Sequence, residues 1–171
     1  NLFYSRRIGS NPAYSANISS KVLPGEIIKE NQLESKLLNA TKISGRSQNG
    51  MGIGFFNAVT KRGYATVQNS TGEERLIETQ PLSNYTILVL DQSLKNNSSA
   101  SFVNTNVLRQ GSAYDANVSA FLFNLNNKQN VYNVNGAAKL SHVGPESPGN
   151  SAMNGYYYEI EAGKKSGNFT W

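Results

Sequence analysis

Glu159 and Glu161 stand two residues apart in the run Tyr156-Tyr157-Tyr158-Glu159-Ile160-Glu161-Ala162. On an extended strand, residues i and i+2 share a face and lie roughly 7 Å apart. That is the separation of a glycosidase carboxylate pair, and such a pair works only if a cleft holds a sugar between its members. The plainer reading is that both charges line a polar surface and pair with Lys139 or Lys42. Arg6-Arg7 is the other concentrated charge, but neighbours on a strand point to opposite faces, so only one of the two can line any lumen. His142 is the single histidine and has no Ser or Asp arranged about it in sequence, which leaves a strand-end or loop role. There is no Cys, so thiol nucleophiles, disulfides and Cys-ligated metals are excluded. Gly50-Met51-Gly52-Ile53-Gly54 is no dinucleotide fingerprint, because no helix follows and the glycines alternate with apolar residues; they thin one face of a strand. The Asn-x-Ser/Thr triplets at Asn17 and Asn97 are incidental in so Asn- and Ser-rich a chain. No catalytic residue, cofactor or metal site is expected, and the chain is read as a non-enzyme.

The elements that position these residues are strands. Long helix formers are nowhere concentrated, while Asn, Ser, 15 Gly and 9 Tyr are prominent. Tight turns are expected at Gln48-Asn49-Gly50, Lys95-Asn96-Asn97-Ser98, Asn126-Asn127-Lys128-Gln129-Asn130 and Lys164-Lys165-Ser166-Gly167, since Asn and Gly tolerate the positive φ of hairpin loops. Longer polar loops are expected over Gly9 to Gln32, Lys61 to Leu82 and Val143 to Asn154, with a short link near Arg109 to Ser112.

Between the turns, residues alternate in chemistry. Val134 and Leu140 oppose Asn133, Asn135 and Lys139; Val118 and Leu122 oppose Asp115 and Asn117, with Phe121 breaking the pattern. Ile160 opposes Glu159 and Glu161, and Leu88 and Leu90 oppose Asp91. Strands of about 9 to 13 residues exceed the usual five or six of a globular domain and match the 9 to 11 that cross a bilayer at a tilt. The apolar faces also carry Ala, Gly, Thr and Tyr, which suffices for lipid but is thin for a sandwich core. Short turns alternating with long loops form the pattern of outer-membrane barrels, and tyrosines with Trp171 near strand ends suit aromatic girdles.

The expected fold is therefore all-β: an antiparallel up-and-down transmembrane β-barrel, a partial barrel of about eight to nine strands, with residues 1–171 as one segment. Lys42, Asp91, Asp115, Asn117, Asn133, Asn135, Lys139, Glu159 and Glu161 are assigned to the lumen. Leu88, Leu90, Val118, Leu122, Val134, Leu140 and Ile160 are assigned to lipid. The rival is a soluble secreted β-sandwich that binds glycans through Tyr156 to Tyr158. The net charge of +5 comes from a chain only 16% charged, which implies no nucleic-acid partner. No stretch approaches the ~18 apolar residues of a membrane-spanning helix, and no basic-then-apolar leader opens the chain.

Three motifs carry a resemblance: Tyr4-Ser5-Arg6-Arg7-Ile8-Gly9, the run from Asn39 through Gly50-Met51-Gly52-Ile53-Gly54 to Thr60, and Pro81-Leu82-Ser83-Asn84-Tyr85. In order and spacing the chain resembles Bacteroidota outer-membrane proteins in which a family-nine-like carbohydrate-binding domain precedes a C-terminal β-barrel of unknown function. The match is strong over residues 3 to 94 and rests on alternation and Gly positions thereafter. The resemblance implies a non-catalytic barrel wall in the bacterial outer membrane, linked to glycan handling or cell-surface biogenesis, or held as a component or client of a larger outer-membrane complex. It supplies no catalytic residues. The upstream domain is absent from these 171 residues and the family's barrel is longer, so the expected partners are outer-membrane lipid and the remainder of a longer barrel or other outer-membrane subunits.

Overall fold

A computed structural model describes residues 11–111, 113–145, 151–167 and 169–170. Arg6-Arg7, the Tyr4 to Gly9 motif and Trp171 lie outside the described residues. The chain is all-β, with one short 3-10 turn, Ser15–Lys21, and ten strands: β1 Ile27–Asn31, β2 Leu37–Arg46, β3 Met51–Thr60, β4 Gly63–Gln68, β5 Glu74–Gln80, β6 Ser83–Leu94, β7 Ser98–Arg109, β8 Ala116–Asn126, β9 Tyr132–Val143 and β10 Met153–Lys164. They form two sheets, in the orders β1-β4-β5 and β10-β9-β8-β7-β6-β3-β2. The seven-stranded sheet runs in chain order with β4 and β5 skipped, an up-and-down arrangement. Among the described residues it has two edges, β2 and β10.

Three of the turns fall where Asn and Gly place them. Gly50 has φ +80° in the β2–β3 turn, Asn96 and Asn97 have φ +59° and +55° between β6 and β7, and Asn130 has φ +55° between β8 and β9. The β8–β9 turn is also pinned by the Asn127 carboxamide oxygen, which accepts from the backbone N–H of Val131 at 2.8 Å and of Tyr132 at 3.0 Å. The fourth expected turn follows β10, where Gly167 has φ +106°.

The chain clusters into two compact units. The first comprises 1–40, 58–84 and 108–113 and the second 41–57, 85–107 and 114–171. The first unit corrects the expected loops: β1 lies within Gly9 to Gln32, and β4 and β5 lie within Lys61 to Leu82. These strands are five to seven residues long, and the Gly and charges around them mask their short alternation. In β4, Gly63, Ala65 and Val67 are buried while Tyr64 is exposed. Antiparallel pairing sets Ala65 opposite Ile77 of β5 and Val67 opposite Ile28 of β1. Ile18, Ala65, Val67 and Ile77 then form a small core, with Val22 against it. The β4–β5 turn closes through Asn69, whose side-chain oxygen accepts from the N–H groups of Thr71 and Glu73.

A buried polar cluster centres on Gln80 in the same unit. Its side-chain oxygen accepts from the Ala13 N–H at 2.7 Å, and its amide donates to the hydroxyls of Thr60 at 3.4 Å and Ser83 at 3.3 Å. A buried amide without such partners would cost about 1–3 kcal/mol.

The second unit carries the long strands. β10 pairs with β9 over twelve residues without a shift, from Met153↔Val143 to Lys164↔Tyr132, and β8 pairs with β9 from Ala116↔Val143 to Asn126↔Asn133. β7 pairs with β8 from Ser99↔Asn124 to Val107↔Ala116.

Candidate functional site

Directly paired residues of an antiparallel sheet point to the same side, so the unbroken register fixes two faces of β7 to β10. Near the turn-bearing end, one face carries Phe102, Phe121, Phe123, Leu125, Val134, Ala138, Tyr158 and Ile160, and Leu140 with Tyr156 extend it along β9 and β10. The other carries Ser99, Ser101, Asn124, Asn126, Asn133, Asn135, Glu159 and Glu161. The apolar face is the open one: Ile160 is 74% exposed, Phe121 48% and Val134 39%, whereas Asn133 on the polar face is 5% exposed. Along β9 the apolar side chains are thus more exposed than the amides, the reverse of the usual preference.

Backbone shape supports the apolar face at Gly136. A Cβ there would sit 2.7 Å from the Phe123 ring and from the Glu159 carbonyl oxygen. The missing side chain lets the Phe123 ring lie across β9, which makes a flat aromatic surface from a glycine position.

The polar face is knitted by side-chain amides. The Asn133 amide donates to the Asn124 and Asn126 side-chain oxygens at 3.0 and 3.1 Å, and Asn135 donates to Glu161 at 3.0 Å. The Tyr157 hydroxyl donates to Glu159, and the Lys139 ammonium lies 4.7 Å above the Tyr157 ring. The two carboxylates do share a face, as their spacing requires, but they take neutral partners rather than the Lys139 ion pair expected of them. A groove of about 430 Å³ runs along this face between Ser99, Ser101, Asn133, Asn135 and Glu159.

Further along the sheet, the glycine run has its own use. The Arg46 guanidinium at the end of β2 crosses β3 to reach Asp91 on β6, donating also to the Gly50 carbonyl at 2.9 Å and the Ser93 hydroxyl at 2.8 Å. A Cβ on Gly52 would meet the guanidinium at 3.0 Å, so the bare backbone of β3 is the floor over which Arg46 passes. Asp91 also accepts from the Ser101 hydroxyl at 2.8 Å, which ties β6 to the polar face of β7. Gly54 looks onto Val89, so Val89 and Asp91 share that side and Leu88 and Leu90 take the other. Alternation along β2 places Lys42 on the side of Arg46.

A family model described as Domain of unknown function (DUF5916) matches residues 1–171. The chain belongs to this family. No curated protein and no solved structure matches the DUF5916 chain.

The register regroups part of the expected facing. Asn133, Asn135, Lys139, Glu159 and Glu161 stay together, and so do Val134, Leu140 and Ile160. Val118 and Leu122 do not join the latter: they pair with Ser141 and Ala137 and so lie on the face of Asn135 and Lys139. Asn117 moves the other way, opposite His142, and its amide donates to Asn106 at 3.3 Å while Asn104 donates to Asn117 at 3.2 Å. Asp115 precedes β8, and its carbonyl accepts from the Gly144 N–H at 2.7 Å. The physical reason is that the sheet exchanges chemistry along its length. Beyond Phe102 and Phe121 the formerly apolar face continues as Asn104, Asn106, Asn117, Ser119, His142 and Asn154, while the opposite face turns to Val103, Val107, Val118 and Val143. The break at Phe121 is the sequence signal of this exchange. Among the described residues no group of three or more Asp, Glu and His gathers as a metal site would require.

Proposed function

We propose that this DUF5916 chain builds part of the wall of a bacterial outer-membrane β-barrel, with Asn133, Asn135, Glu159 and Glu161 toward the lumen and Phe121, Val134, Tyr158 and Ile160 toward lipid. The observation that carries the reading is the burial of paired residues: Asn133, Asn135 and Glu159 are buried or half-buried, while Phe121, Val134, Tyr158 and Ile160 stand exposed. The open apolar band extends on β9 from Tyr132 to Leu140, about 27 Å along the strand at ~3.4 Å per residue. Tyr132 stands at its turn-bearing end and Tyr156, opposite Leu140, at the other, as girdle residues would. The change to Asn117, His142 and Asn154 beyond the band is what a wall needs where it leaves lipid and meets water. The band's limit also steps: it falls after Phe121 on β8 but only after Leu140 on β9, one paired row later, as strands tilted against a membrane plane require.

The role is that of a wall rather than a catalyst, with lipid and further strands as partners. The test is a matched pair on β9 of the full-length protein. Val134→Arg is expected to impair folding into phospholipid vesicles, and Asn135→Arg to leave it nearly unchanged; equal tolerance of the two would refute the assigned facing.

A further inference from the structure

The first unit carries an open cavity of about 590 Å³ whose wall gathers cations. Lys36 lies just before β2, and Lys61 and Arg62 connect β3 to β4. The Lys61 N–H donates to the Lys36 carbonyl at 2.8 Å, which fixes two of the cation-bearing segments against each other. Among the described residues the only acidic partner of these three cations is Glu78, 3.9 Å from Arg62. The cavity therefore holds about two uncompensated positive charges. Gln32 and Gln110 bring carboxamides to the same wall, and Gln110 is held there by its N–H bond to the Leu82 carbonyl at 2.9 Å. Tyr64, exposed on β4, and Leu82 supply a flat apolar side.

We infer that this cavity binds an oxyanion carried on a sugar ring, a phosphate or carboxylate saccharide. The charges and their spread over two segments suit an anion with several oxygens, to which Arg and Lys donate charge-assisted hydrogen bonds. The carboxamides suit ring hydroxyls, the tyrosine ring suits the apolar face of a pyranose, and the volume falls in the range of small-molecule sites. All but Tyr64 come from connections between strands, where binding side chains concentrate. The same chemistry is offered by a free sugar phosphate and by the headgroup of a phosphorylated glycolipid.

The experiment uses full-length protein in phosphatidylcholine nanodiscs, titrated by calorimetry with glucose 6-phosphate, glucuronate, glucose and dispersed monophosphoryl lipid A. The anionic sugars or the lipid are expected to bind at least tenfold more tightly than glucose, and binding is expected to weaken with added salt. Binding of the soluble sugars identifies a soluble ligand; binding of the lipid alone identifies a headgroup site. The variant Lys61→Ala/Arg62→Ala is expected to weaken binding at least tenfold, and Lys95→Ala/Lys128→Ala, which removes two exposed cations from turns of the second unit, to leave it unchanged. Absence of binding by all three anionic probes, glucose binding as tightly as they do, or equal losses in the two double variants would overturn the inference.

Discussion

Placing an arginine at two consecutive positions of β8 separates the facing read from cross-strand pairing from the facing read from alternation. Phe121 pairs with Phe102 and Ala138 on the open apolar face and is 48% exposed; Leu122 pairs with Ser101 and Ala137 on the polar face. Arginine on a lipid face at mid-depth costs about 2–4 kcal/mol, against roughly 0–1 kcal/mol near an interface, while lumen positions tolerate it. Phe121 is the last apolar row of β8, so its penalty falls between these limits, about 1–2 kcal/mol, which at about 1.4 kcal/mol per tenfold is a loss of roughly 5- to 30-fold in the folded-to-unfolded ratio for Phe121→Arg. Both changes also delete packing, so each is referred to its own alanine variant, and the Arg-minus-Ala difference is the quantity compared. The assay is urea titration of the full-length protein in phospholipid vesicles, read by heat-modifiable gel mobility and tryptophan fluorescence. A penalty at Leu122 equal to or greater than that at Phe121 would refute the register-based assignment, and with it the inside-out reading of the sheet.

Three further outcomes follow from named contacts. Gly52→Leu is expected to expel the Arg46 guanidinium from its path over β3, because even a Cβ meets it at 3.0 Å; the double variant Gly52→Leu/Asp91→Asn should then lose little more stability than Gly52→Leu alone, and additive losses would show that the two sites are independent. In the first unit, the Arg75 guanidinium and the Leu23 N–H hold the Glu26 carboxyl below the usual carboxylate range. A lowered folded-state value stabilises fully above the ordinary carboxylate pKa and is lost as pH falls through the lowered one. Glu26→Gln should therefore flatten the acid limb of that unit's hydrogen-exchange protection, and an unchanged limb would remove the ion pair from the account. Strands β2 and β10 each have an unpaired edge among the described residues, and unmet backbone groups cost several kcal/mol apiece in lipid. The 171 residues alone should aggregate or fold poorly in detergent micelles; a protease-resistant, heat-modifiable monomer would show instead that they close on themselves.

What the sequence determined by itself is local. Asn and Gly at positive φ set the turns after β2, β6 and β8, because few other residues reach that backbone region cheaply. Alternation set the all-β character and put Asn133, Asn135 and Lys139 on one side of β9, since within a single strand the side is fixed by parity alone; it did not set the strand limits, for β10 begins at Met153, inside the loop expected over Val143 to Asn154. Tertiary structure decided whatever depends on which strand lies beside which. Val118 and Leu122 look apolar-facing within β8, but pairing sets them beside Ser141 and Ala137; apolar residues occupy both faces of β8 at different heights, and only register says which row belongs to which side. β1, β4 and β5 escaped notice because strands of five to seven residues, two of them carrying adjacent charges at Lys29-Glu30 and Glu74-Arg75, resemble a loop until a small core forms from Ala65, Val67 and Ile77. The passage of Arg46 over Gly52 to Asp91, and the cavity walled by Lys36, Lys61, Arg62 and Gln110, join residues up to 45 and 74 positions apart in the chain. Nothing in a linear pattern encodes such meetings; they arise only when the sheets bring distant strands and connections together.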